Sequence, residues 1–138
     1  MERTDLHAIS RQRKREAAAL LRAQLYGGAY YLAGYAVECA LKACIAKRTR
    51  RHEFPDRNVA ISAWTHDLDR LVDLAGLDAE LAKDMAANPA LRVNWGTVSE
   101  WKETARSDLT ITPDKAKELY FACTRRNIGI LSWIRRRW

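Results

Sequence analysis

The sequence predicts an all-α protein, and three observations carry that reading. Residues 27–46, GGAYYLAGYAVECALKACIA, form an almost unbroken apolar run interrupted only by Glu38 and Lys42. From Thr112 the chain reads Thr-Pro-Asp, which supplies the cap, the first position and an acidic first turn of a helix, and that segment ends in basic residues. Elsewhere apolar residues recur at spacings of three and four, the period of one helix face. With 138 residues the chain fits one domain around one core.

Leu6, Ile9, Ala17, Leu20, Leu21 and Leu25 mark one side of a first helix from about residue 5 to Gly27, and Gly27-Gly28 supplies the turn. The second helix runs from about Ala29 to Arg48 and, being apolar on most faces, belongs at the centre. A run this long raises the question of a membrane span, but two ionisable groups one turn apart near its middle make that costly. Their four-residue spacing sets Glu38 beside Lys42 with the carboxylate N-terminal, the favourable order for an ion pair. The pair either stitches the core helix to its neighbours or is kept for function in a cleft.

Residues 49–63 read as a loop containing Phe54-Pro55-Asp56. Thr65 caps a third helix whose stripe is Leu68, Leu71, Val72 and Ala75, with Gly76 as its stop. A short helix from Asp78 ends at Asn88-Pro89, the stretch 90–99 reads as irregular or extended, and Thr97-x-x-Glu100 opens a short turn through Trp101. The last helix should bury Ala116, Leu119, Tyr120, Cys123, Ile130 and Ile134, with Asn127 on the same stripe and Arg126 at its margin.

The net charge of +7 is unevenly spread. Six Lys or Arg fall within residues 1–25, among them RQRKR at 11–15, and six more lie between Lys42 and Arg57. The last twenty residues hold five Arg and no acid, whereas residues 65–90 hold six acids against Arg70 and Lys83. Such polarity suits a polyanion-facing surface or a self-complementary contact between subunits, as well as solvated faces that keep a small protein dissolved. Cys39, Cys44 and Cys123 have neither disulfide nor metal-ligand spacing and read as reduced packing residues. The opening MERTDLHAISRQRKR has no apolar signal region, so the expected location is the cytoplasm.

The block GAYYLAGYAVECALKACI, then THDLDRL at 65–71, then SWIRRRW at 132–138, resembles bacterial HEPN (higher eukaryotes and prokaryotes nucleotide-binding) proteins in order and spacing along nearly the whole chain. The resemblance implies an up-and-down helical bundle of four to five main helices, usually a homodimer. It also implies RNA cleavage, RNA or nucleotide binding, or toxin–antitoxin pairing with a nucleotidyltransferase. In its ribonuclease members an arginine and a polar residue precede a histidine with spacing Arg-x4–6-His, and the histidine performs general acid–base cleavage. Here Arg126-Asn127 match the start of that motif, but Leu131, Ser132 and Trp133 stand where the histidine should be. Neither His7, His52 nor His66 has an arginine at the required spacing upstream.

Tryptophan cannot shuttle protons, so an enzyme on this scaffold would need another acid–base group. His66, with Glu38 as partner and Arg126 or Arg106 beside the phosphate, is the candidate set. Relatives carry a tryptophan followed by Arg-Tyr before the final helix; here Trp101 precedes Arg106-Ser107, and Arg106 is placed to hold a phosphate or to pair with Glu38. RNA or nucleotide contacts are expected from Arg106, Arg126, Asn127, Lys42, Arg48, Arg135, Arg136 and Arg137, with Trp133 and Trp138 as exposed aromatics for stacking or dimerisation. No metal cluster or phosphate-cradling glycine loop is apparent, and neither a cofactor nor a membrane is expected. The leading expectation is an RNA- or nucleotide-associated module without ordinary ribonuclease activity; the alternatives are a divergent metal-independent ribonuclease toxin and an interaction subunit for a separate nucleotidyltransferase.

Overall fold

The structure, a computed structural model, describes residues 1–51 and 64–138, the side chains of Arg50 and Arg51 excepted. It is an all-α bundle with no strand among the described residues. Its helices are α1 (Arg3–Arg22), α2 (Tyr26–Arg51), α3 (Leu68–Leu74), α4 (Asp78–Ala87), α5 (Pro89–Ser99), α6 (Pro113–Thr124) and α7 (Ile130–Arg135), with a 3-10 turn at Glu103–Ser107. No helix among the described residues is long and apolar enough to cross a membrane. His52 and most of the loop expected at 49–63 lie outside the described residues, and residues 49–51 continue α2.

The apolar run is the central helix for the reason its sequence suggests: a helix without a polar side must be covered on all sides. α1, α3, α6, α7 and the 3-10 turn all pack on α2, and α1–α2 is the most extensive pairing. Ala29, Ala33, Ala36, Val37, Ala40, Leu41 and Ala43 are each 2 % exposed or less. Small residues let neighbours come close. A Cβ at Gly34 would fall inside the Trp101 indole, so the ring lies directly against the α2 backbone. Ser10 Oγ donates to the Ala36 carbonyl (2.7 Å), which fixes α1 along α2.

Four boundaries differ from the sequence reading. Gly27 and Gly28 lie inside α2, and the turn is made one step earlier by Gln24 at φ 63°. The cap of α3 is Asp67, whose carboxylate accepts from Asp69 N (3.0 Å) and Arg70 N (3.4 Å); Thr65 Oγ1 in turn accepts from Asp67 N (3.1 Å). Residues 90–99 are helical because Asn88 both ends α4 and caps α5, accepting from Ala90 N (3.1 Å) and Leu91 N (3.3 Å), with Pro89 in the first turn. Glu100 therefore follows a helix instead of opening one.

The final helix is two helices. Arg125 leaves α6 with ψ 137°, Asn127 takes φ 67°, and Gly129 N donates to the Arg125 carbonyl at 2.8 Å. A Cβ at Gly129 would collide with that carbonyl, so this close return needs glycine. Asn127 is consequently exposed on the turn and not on the buried stripe.

Candidate functional site

Two charged constellations stand out, and they are built oppositely. Glu38 is 1 % exposed, on the core helix. Lys42 Nζ donates to its Oε2 at 3.1 Å, and His66 Nδ1 lies 2.9 Å from its Oε1. The partnership inferred from the sequence is thus formed. The Thr65–Asp67 capping turn presents the imidazole to α2, and α2 presents the carboxylate. With Nδ1 engaged, Nε2 is on the far side of a ring that is half exposed, beside a groove lined by Met1, Leu6, Lys42, Ile45, Ala46 and Trp64 among the described residues. This is the arrangement in which a carboxylate orients a histidine for proton transfer, and equally one in which a buried carboxylate has satisfied both oxygens.

Among the described residues, the cysteines and Tyr35 add no ready nucleophile. Burial pushes the Cys39 and Cys44 thiols up to about 11 and Cys123 to about 12, so the cysteines are protonated packing residues. The Tyr35 hydroxyl, beside Cys39, is pushed up to about 12. Among the described residues no group of three His, Cys, Asp or Glu is placed to hold a metal ion.

The expected phosphate contacts separate into different places. Arg106 is two-thirds exposed and pairs with Glu103 at 3.2 Å instead of Glu38, since both residues lie on one 3-10 turn and the oxygens of Glu38 are taken by Lys42 and His66. Arg126 and Asn127 sit exposed at the α6–α7 turn, where the Asn127 carbonyl accepts from Arg136 Nη2 at 3.5 Å. Arg48, Arg136 and Arg137 line one pocket of about 490 Å³ with Lys47, Gly76 and Glu80. Arg48 there donates to the Leu74 carbonyl at the end of α3 (3.2 Å) and Lys47 to the Arg137 carbonyl (3.2 Å).

Arg137 and Trp133 are not free for RNA. Arg137 binds Asp84 (3.0 Å) and Glu80 (2.9 Å), and its guanidinium lies 3.7 Å from the Trp133 ring centroid. Trp133 Nε1 donates to the same Asp84 at 2.8 Å, and the residue is 2 % exposed. The expectation of an exposed Trp133 is overturned because its indole and Arg137 tie α7 to the acidic α4. Trp138 is half-buried, packed against Leu6, Cys39 and Ala43.

Around Trp138 lies a constellation that the sequence does not announce. His7 stacks on the indole with ring centroids 4.0 Å apart; the Arg11 and Arg135 guanidiniums lie 5.0 and 5.6 Å from the same ring, and Arg3 Nη2 donates to the Trp138 carbonyl at 3.4 Å. Lys14 is held below the ordinary lysine range by burial and by Arg135, and Arg135 below its own by burial and by Arg11. His7 is lowered by burial, then by Arg3 and Arg11. The charges acting on these three groups are other cations. The available signal is the spacing of positions 3, 7, 11 and 14, one face of α1. Comparisons of the chain with protein-family models, with curated proteins and with solved structures match nothing.

Proposed function

We propose that this chain is a HEPN-type RNA-associated binding module whose phosphate-facing surface is the basic end of the bundle, around Trp138. The observation that carries the reading is the gathering of Arg3, Arg11 and Arg135 about Trp138 with Lys14 beside Arg135, where the charges that perturb Lys14 and Arg135 are themselves cations. Like charges held together raise the free energy of the unbound protein, and a polyphosphate relieves that cost while releasing counterions. Arg136, Arg48 and Lys47 extend the basic surface past the C-terminal turn. Homodimerisation and pairing with a nucleotidyltransferase belong to the same resemblance; Leu25, Leu109 and Phe121 are exposed apolar side chains open to such contacts.

The test is binding of a labelled single-stranded RNA across a salt series. The triple variant Arg11→Ala, Lys14→Ala and Arg135→Ala should weaken binding at low salt and lower the slope of log K against log salt by about two units, at about 0.7 for each phosphate that is no longer neutralised. Arg137 is left intact because it braces α7. An unchanged affinity and slope would remove this surface from the reading.

A second reading, a divergent metal-independent ribonuclease, is favoured by the His66–Glu38 bond, which leaves Nε2 open as a general base. The absence of the Arg-x4–6-His histidine argues against it. RNA cleaved in the presence of a chelator by the wild type and left intact by His66→Ala would establish the enzyme; RNA recovered whole supports the binding module.

A further inference from the structure

His7 occupies the middle of the basic face and is incompletely satisfied. Its Nε2 is buried without a hydrogen-bond partner, while its ring is clamped against Trp138. The groups that face it are unfavourable to a second ring proton. α1 contributes Arg3 and Arg11, with Lys14 further along it beside Arg135 of α7, and all are cationic. From α2 come Cys39 and Tyr35, both held protonated. The carboxylate of that helix, Glu38, is already bonded to Lys42 and His66. The site therefore has donors in excess, its Trp138 carbonyl being already taken by Arg3, and the acceptor that suits three guanidiniums, an ammonium and an imidazolium is a phosphate.

We infer that His7 is a phosphate-binding residue: an RNA phosphate seated between Arg3, Arg11 and Arg135 neutralises the cations beside the ring and supplies its missing acceptor, so that RNA binding takes up one proton at His7. The inference rests on the RNA-binding reading and goes beyond it by naming the contact and its proton. The balance is simple. Neutral imidazole, a proton from solvent and the phosphodiester anion become an imidazolium–phosphate pair, with no covalent change.

The experiment measures the affinity of the full-length protein for a fluorescein-labelled oligouridylate between pH 5.5 and 8.0 at fixed ionic strength. The wild type should bind up to about tenfold tighter for each pH unit of acidification through the His7 transition, the limit for one linked proton. His7→Gln should flatten that dependence, and His66→Asn should retain it, which separates the two histidines. A pH dependence identical in wild type and His7→Gln overturns the inference while leaving RNA binding intact. If His7→Gln loses its helical dichroism, calorimetric proton uptake by the unmodified protein in buffers of different ionisation heat carries the test: about one proton at the acid end upholds it, and none overturns it. If no RNA binds at any pH, the RNA reading fails by itself. The site is then judged by the His7 ring resonance in inorganic phosphate against chloride, where a raised titration midpoint upholds a phosphate site and an unchanged one overturns it.

Discussion

The buried node at Glu38 and the basic end at Trp138 use the same kinds of side chain to opposite effect. At the node, one carboxylate inside the core is met by a lysine and a histidine, so each charge has a counterpart and both oxygens are used. At the basic end, three arginines and a histidine gather about Trp138, with Lys14 beside Arg135, and the indole packs on the apolar Leu6, Cys39 and Ala43. A paired charge in a core specifies a structure, and removing one partner exposes the cost of the other. A crowd of like charges at a surface lowers the stability of the unbound fold and is reconciled with function only by a ligand of the opposite sign. On the proposed reading, binding belongs to the second region and positioning to the first.

Mutations at the two regions should shift stability in opposite directions. The largest effect belongs to Glu38→Ala, which strands Lys42 and His66 and opens space in the central helix. Urea unfolding should show a loss on the order of 3 kcal/mol, toward the low end for a broken buried pair because both partners reach solvent. A loss near zero would make the node a site kept for chemistry. At the other end Lys14→Gln removes a crowded cation and should raise stability by about 0.3 kcal/mol, the scale of one like-charge contact. A clear destabilisation there would show that the cations are held by partners, and the contrast would fail.

The smallest effect is on pH dependence. His7 is lowered from 6.5 in the fold, so its contribution to stability is present above pH 6.5 and lost as pH falls through the lower folded value. His7→Gln should therefore lose less stability than the wild type between pH 7 and pH 5, measured by thermal melting in dilute buffer. Equal losses would mean that the arginines do not act on this ring.

The core is legible in the sequence where one signal has one meaning. The apolar run has no polar side to face water, and Thr112-Pro113 caps a helix whichever way the chain goes next. Legibility fails where one residue serves two elements. Asn88 ends α4 and starts α5, so reading it only as a terminator erases a helix. Ile130 and Ile134 stay in the core after the α6–α7 turn, so the stripe looks continuous across a break that Asn127 and Gly129 make. The Glu38–His66 bond is within reach because a capped helix start and a core carboxylate each want a partner. The basic end is not, since in sequence the α1 arginines are only a run of charge, and the position of Trp138 beside them is set by tertiary packing alone.

The stack of His7 on Trp138 also gives the molecule an optical reporter. An imidazolium lying 4.0 Å from an indole quenches its fluorescence by accepting an electron, whereas neutral imidazole does so weakly. The emission of Trp138 is then coupled to the charge of its neighbour, while Trp64, 83 % exposed, supplies a red-shifted background. The Trp138 share of the emission dims as His7 gains its proton, so the charge of this one imidazole can be followed without a label.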